Sequence, residues 1–272
     1  MNQSTINIKQ SFGLFGLYII ITLGVSLIAS AFGQNAQVVF FTSLITNLLI
    51  ITVALNWQEL PGRFLIAENR SIPELHFVIG CFFTLCLGVT LDPILNLYPM
   101  PDWMVEMMEM AIQKNAWSFL ALAVVAPLGE EFLFRRIILT GLESNYGKRK
   151  AILWSAFFFA LFHLNPWQGL GAFVSGIFLA WLYLNTRNIW LCVAIHAFHN
   201  SIAFLAFYLS GDVMITIVDI VGYDYKLGLI IGLSIVSMYF CYKYFEKAFR
   251  QNPIANWNED PDATEQAKPL DH

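Results

Sequence analysis

Charge is scarce in this sequence. Asp, Glu, Lys and Arg make up 12% of its 272 residues, about half the roughly 25% of a soluble domain. With 57% hydrophobic residues, that scarcity excludes a water-soluble globular fold and points to a chain embedded in lipid. No Lys/Arg patch interleaved with aromatics occurs, so nucleic acid is not an expected partner, and much of the net charge of -4 sits near the C-terminus. Only four cysteines are present, Cys81, Cys86, Cys192 and Cys241, all in apolar stretches without metal-site spacing; they read as small packing residues. There is no His-Glu-x-x-His element of the kind that announces zinc, no internal repeat, and no Cys-a-a-X ending.

What remains is a series of long apolar stretches near the roughly 20 residues that a 30 Å hydrocarbon layer requires. They lie at about 12–32, 38–56, 75–95, 116–140, 150–165, 168–185, 189–209 and 226–245. The expected fold is an all-α polytopic membrane protein of about eight transmembrane helices. The first is read as an uncleaved span, because its apolar run exceeds the 7–15 residues of a signal peptide. Alternating the sides gathers Lys9, Arg63, Arg70, Lys148, Arg149, Lys150, Arg187, Lys243, Lys247 and Arg250 on one side, with Lys114 and Lys226 opposite. Cytoplasmic loops hold the Lys/Arg excess, so both termini are expected in the cytoplasm, in a bacterial plasma membrane. Residues 1–115 form N-terminal helices plus a Pro- and Met-rich segment from Asp92 to Asn115 with an expected interfacial helix. Residues 116–209 form the candidate catalytic core, 210–250 the last span, and 251–272 a polar tail of disordered composition.

Inside the fourth stretch stand four charges, Glu130, Glu131, Arg135 and Arg136. A charge at the bilayer centre costs about 2.5–3.5 kcal/mol on insertion scales, so it persists where it has a partner or a task. Glu131 and Arg135 are i,i+4 neighbours and are expected to pair; Glu130 points about 100° away and is left free. Three further polar groups lie within spans: His163, and His196 with Asn200 one turn later on the same face. At about 1.5 Å of rise per residue, Glu130 lies roughly 15 Å, His196 roughly 10 Å and His163 roughly 20 Å from the cytoplasmic ends of their helices. All can meet in one band.

A carboxylate, two imidazoles and a carboxamide in one low-dielectric pocket suit the addition of water to a carbonyl. Glu130 takes the proton of water, one His holds that water or passes the proton on, and the other His with Asn200 donates to the oxyanion. His199, rotated from His196, reads as a packing or supporting residue. Spacing alone leaves a hydrolase and an ion-conducting or proton-coupled transporter even, with a non-enzymatic immunity or scaffold factor as a further alternative. The absence of paired, interrupted helices in two matching halves weakens the transporter.

Three motifs occur in order: Glu130-Glu131-Phe132-Leu133-Phe134-Arg135, Phe159-Ala160-Leu161-Phe162-His163 and His196-Ala197-Phe198-His199-Asn200. Together they resemble those of the CPBP family, the CAAX-protease and bacteriocin-processing intramembrane proteins related to type II CAAX prenyl endopeptidases. The likeness covers roughly residues 115–205. It implies an intramembrane endopeptidase acting on a membrane-anchored peptide or protein, with Glu130 as the base, His163 as its partner and His196 and Asn200 as the oxyanion site. Glu131, Arg135 and Phe159 would support the geometry. No cofactor is certain. A zinc alternative would make His163 and His196 ligands together with a Glu, beside the metal-free mechanism favoured here.

Overall fold

A computed structural model describes residues 6–33, 35–57 and 71–253. Most of the expected Pro61–Pro73 loop, Arg63, Arg70 and the tail from residue 254, with His272, lie outside the described residues. The chain is an all-α polytopic membrane protein. Its helices are α1 (Ile8–Ser30), α2 (Ala36–Trp57), α3 (Glu74–Leu95) and the short α4 (Asp102–Ala111). Then come α5, a continuous helix over Ala116–Tyr146, and α6 (Lys148–Phe162), α7 (Pro166–Thr186), α8 (Ile189–Ser210), α9 (Ile217–Val221) and α10 (Tyr225–Gln251).

Asparagine opens five of these helices. Asn7, Asn35, Asn115, Asn165 and Asn188 each accept hydrogen bonds from first-turn backbone N–H groups, satisfying donors that the helix itself leaves open. Pro166 follows Asn165 at the start of α7, where a missing N–H costs nothing.

Seven of the described helices are long and apolar enough to cross a membrane. The expected span at 150–165 is instead the 15-residue α6, about 22 Å long against the roughly 30 Å of hydrocarbon. Gly147 at φ 77° starts it, and Leu164 at φ 50° turns the chain back into α7. In the other direction α5 runs six residues past its expected end, to Tyr146, which moves Glu130 towards mid-helix. The Pro- and Met-rich segment holds one short helix, α4, which exposes Trp103, Met107 and Met110 at i, i+4 and i+7 on one face.

Two ends of the bundle are fixed by specific contacts. At one, Asn145 donates to Ile6 O at 3.0 Å, and Arg187 grips both oxygens of Glu143 at 3.0 and 2.7 Å. At the other, Trp117 packs on Phe40 and Phe41, and Trp167 Nε1 donates to Tyr98 O at 2.6 Å. Between them α6 and α7 form an antiparallel hairpin against the second half of α5, while α3 lies against α8 and α10. The core fills this centre, with Phe134, Phe158, Leu182, Tyr183 and Ile195 fully buried.

Candidate active site

The winding of α5 prepares the site. Residues Ala121–Val125 and Phe132–Leu139 are π-wound, bracketing the α-helical Ala126–Glu131, and such widenings recur at functional sites. The first has a cause in the sequence. Pro127 carries no N–H, and its ring crowds the carbonyl four residues back. The Ala126 N–H bonds to Ala121 O, five residues back, so Leu122 O has lost its α-helical donor, and its π-helical donor would be the missing N–H of Pro127. Asn200 fills the vacancy, its Nδ2 donating to Leu122 O at 2.9 Å. In the second widening the hydroxyls of Ser155 and Thr140 donate to Phe134 O at 3.0 Å and Arg136 O at 2.6 Å, as backbone at membrane depth requires.

The Glu-Glu pair sits where α winding gives way to the second π stretch. Glu131 and Arg135 form the expected pair: Arg135 Nε lies 3.0 Å from Glu131 Oε2, and both side chains are 0% exposed. The contact is an ion pair without an aligned hydrogen bond, and among the described residues Arg135 Nη1 and Nη2 have no hydrogen-bond partner. The guanidinium is covered by the Phe159 ring, 4.4 Å from Cζ to centroid, a cation–π contact that gains strength in a desolvated site.

Glu131 also accepts from His196, whose Nδ1 lies 2.8 Å from Oε1. A carboxylate can only accept, so Nδ1 carries a proton, and in the neutral imidazole Nε2 then presents its lone pair. That Nε2 faces Glu130, with Oε2 at 3.7 Å. The imidazole of His196 thus stands between two adjacent carboxylates, one buried and spoken for, the other 28% exposed.

His163 is held differently. Its Nδ1 lies 2.9 Å from Phe159 O, which again places the proton on Nδ1 and leaves Nε2 open. Phe159 joins the two histidines: both rings meet it edge-on, at 5.1 Å for His163 and 5.7 Å for His196. Among the described residues His163 forms no hydrogen bond or ion pair with either glutamate. The imidazole beside Glu130 is that of His196, whereas the resemblance implies His163 in that place. Asn200 shares the His196 face, one turn on, anchored to α5 through Leu122. His199 is packed near Gly88 of α3, and its buried Nδ1 has no hydrogen-bond partner among the described residues.

Among the described residues no three His, Cys, Asp or Glu side chains come together as a group able to hold a metal ion. The three-ligand zinc alternative built on His163 and His196 is not assembled, because only His196 stands within reach of the glutamates and one of its nitrogens is engaged by Glu131.

Pro127 and the Leu122 carbonyl escape a reading by residue type, although a proline at that place in an apolar run is a visible signal. Asn47 of α2 was likewise passed over: it presses on Gly129, where an added Cβ would fall 2.3 Å from Asn47 Oδ1. An asparagine in an otherwise apolar span was the available sign.

Residues 112–202 match the family model of the Type II CAAX prenyl endopeptidase Rce1-like proteins. This membrane protein therefore carries a CAAX-protease-like domain over α5 to the first part of α8, the stretch that contains all three motifs. No curated protein and no solved structure matches the chain.

Proposed function

We propose that the chain is an intramembrane endopeptidase that hydrolyses a peptide bond of a membrane-embedded or lipid-anchored, CAAX-type substrate, with Glu130 as the base. One observation carries the reading: His196 is clamped through Nδ1 to Glu131 and offers Nε2 to Glu130 at 3.7 Å. A separation beyond direct hydrogen bonding between two acceptors suits a water that donates to both. Glu130 takes one proton of that water as its oxygen adds to the substrate carbonyl. Asn200 keeps one N–H after its bond to Leu122 O, and that donor serves the developing oxyanion. When the C–N bond breaks, the leaving amine receives the proton that Glu130 took, with the open Nε2 of His163 as the relay. Glu131 and Arg135 hold His196 in the required tautomer and orientation.

The chain crosses the bilayer eight times in this reading, α6 completing its passage through the His163–Asn165 elbow. Ile6 and Pro253 then lie on the cytoplasmic side with Lys9, Lys148, Arg149, Lys150, Arg187 and Lys243, as the Lys/Arg bias requires.

The test uses the full chain in lipid nanodiscs, wild type beside Glu130→Gln, incubated with a library of membrane-anchored peptides with and without chelator and read by mass spectrometry. Wild type is expected to yield products, and the variant to be slower by about 10²–10⁴-fold, the usual worth of a general base. Equal cleavage by both proteins rejects Glu130 as the base. No cleavage by folded wild type across prenylated and unmodified peptides rejects the protease assignment.

A further inference from the structure

The heading of the Glu130 side chain is not fixed by α5 alone. The six α-helical residues Ala126–Glu131 lie between two π-wound stretches, and each change of winding alters the direction in which later side chains leave the axis. A reference outside α5 has to set that direction. Helix α2, which lies outside residues 112–202, stands in the place to do so: it runs beside α5 from Ala116 to Leu139, with Phe40 and Phe41 on Trp117 near one end.

The closest approach falls at Gly129, which is buried and immediately precedes Glu130. A Cβ added there would lie 2.3 Å from both Cγ and Oδ1 of Asn47 and 2.7 Å from its Cβ. The approach exists because residue 129 is glycine, as small residues permit between membrane helices. Asn47 is not free to swing aside. Its Nδ2 donates to Ser43 O, one turn back, at 3.0 Å and lies 3.5 Å from Ser43 Oγ. The amide is thus tied to its own helix with its carbonyl side on Gly129, and its Cβ, part of the same contact, moves only with the backbone of α2.

We propose that Asn47 is a positioning residue for Glu130: its carboxamide, seated on Gly129, fixes the rotation and depth of the turn that carries the carboxylate and so aims it at the water shared with His196. The proposal rests on the reading of Glu130 as the base. It assigns a task in the reaction to α2, whose sequence lies wholly outside the matched domain. It also accounts for an asparagine in the middle of a membrane span. The bond to Ser43 O holds the side chain in one rotamer, which a leucine of similar volume has no means to do.

The full chain in nanodiscs is used throughout. Infrared difference spectra of each protein against the same protein carrying Glu130→Gln isolate the Glu130 carboxyl band without any substrate. Gly129→Ala drives a methyl group into the contact, and the band is expected to shift. On a peptide that wild type cleaves, kcat should fall about tenfold to a hundredfold, with KM within about twofold. Adding Asn47→Gly removes all three atoms that the methyl meets; the band should return towards that of wild type, and kcat should rise about tenfold over Gly129→Ala. A double variant no better than Gly129→Ala overturns the proposal, as does a loss confined to KM. Asn47→Ala adds no atom, so it decides the matter even where Gly129→Ala fails to fold. Here too the band should shift and kcat fall about tenfold, whereas an unmoved band or an unchanged kcat overturns the proposal. If wild type cleaves nothing, the protease reading falls, and the infrared bands still decide whether Asn47 places Glu130.

Discussion

Helices α1 and α5 are both long and apolar enough to span a membrane, yet they are used in opposite ways. In its most apolar stretch α1 is 6% buried, whereas α5 is 50% buried. Helix α1 turns Ile20, Leu23, Leu27 and Ile28 outward, each at least 65% exposed to what is lipid in the membrane. Helix α5 turns Glu131, Arg135 and Arg136 inward at 0 to 2%. The difference shows that hydropathy reports on the solvent of a helix and says little about its work. Charge is admitted to α5 because neighbours supply partners: His196 and Arg135 for Glu131, Phe159 for Arg135 and Tyr183, at 2.8 Å, for Arg136.

The largest effect on stability should come from breaking that arrangement. Glu131→Ala leaves the Arg135 guanidinium buried without its anion, and removal of one partner of a buried pair costs about 3–5 kcal/mol. A drop in melting temperature and in monodisperse yield from detergent is the expected result. Glu131→Leu with Arg135→Met removes both charges and should restore much of the melting temperature, because an apolar replacement of a buried pair is often neutral or stabilising. The double variant remains inactive, since His196 has lost the acceptor that fixes its Nδ1 proton. A double variant as unstable as the single one would mean that the pair organises packing beyond its own charges.

A smaller effect separates the two kinds of apolar residue. Leu182 of α7 is 0% exposed and Leu27 of α1 is 76% exposed. Leu182→Ala opens a cavity in a packed centre and is expected to cost about 2–5 kcal/mol. Leu27→Ala changes a lipid contact and should stay within about 0.5 kcal/mol. Thermal melts of the two variants in one lipid mixture make the comparison. Similar shifts would mean that α1 packs against something other than lipid.

Much of this was legible in the sequence. The apolar runs located the helices, and the i,i+4 spacing of Glu131 and Arg135 gave their ion pair. Each of the three polar motifs holds a residue that the fold brings to Phe159: Arg135, His163 and His196. Two features were hidden for a common reason: they depend on where a helix departs from ideal winding. The length of α6 is set by a glycine at one end and a left-handed Leu164 at the other, which hydropathy averaging does not see. The partner of Asn200 is a backbone carbonyl, invisible to any reading that pairs side chains with side chains. The choice of His196 over His163 as the neighbour of Glu130 depends on helix rotation, which spacing along the chain does not fix.

The smallest predicted change bears on that departure from ideal winding. Pro127→Ala returns an N–H to α5 at the position five residues after Leu122, and α5 is already π-wound there. The new donor competes with Asn200 Nδ2 for Leu122 O, and a backbone donor held within the same helix has less entropy to lose than a side chain from another helix. Proline inside a helix is disfavoured by about 3 kcal/mol relative to alanine, so the variant should melt no lower than wild type. If Asn200 serves the oxyanion as proposed, activity should nevertheless fall about tenfold, the consequence of roughly 1.4 kcal/mol less stabilisation of the transition state, because Asn200 loses its anchor on Leu122 O. A protein at least as stable and less active would mean that the proline is retained for the carbonyl it frees. Unchanged activity at unchanged or raised stability would mean that Asn200 finds its position without Leu122, and that the first π-wound stretch serves packing alone.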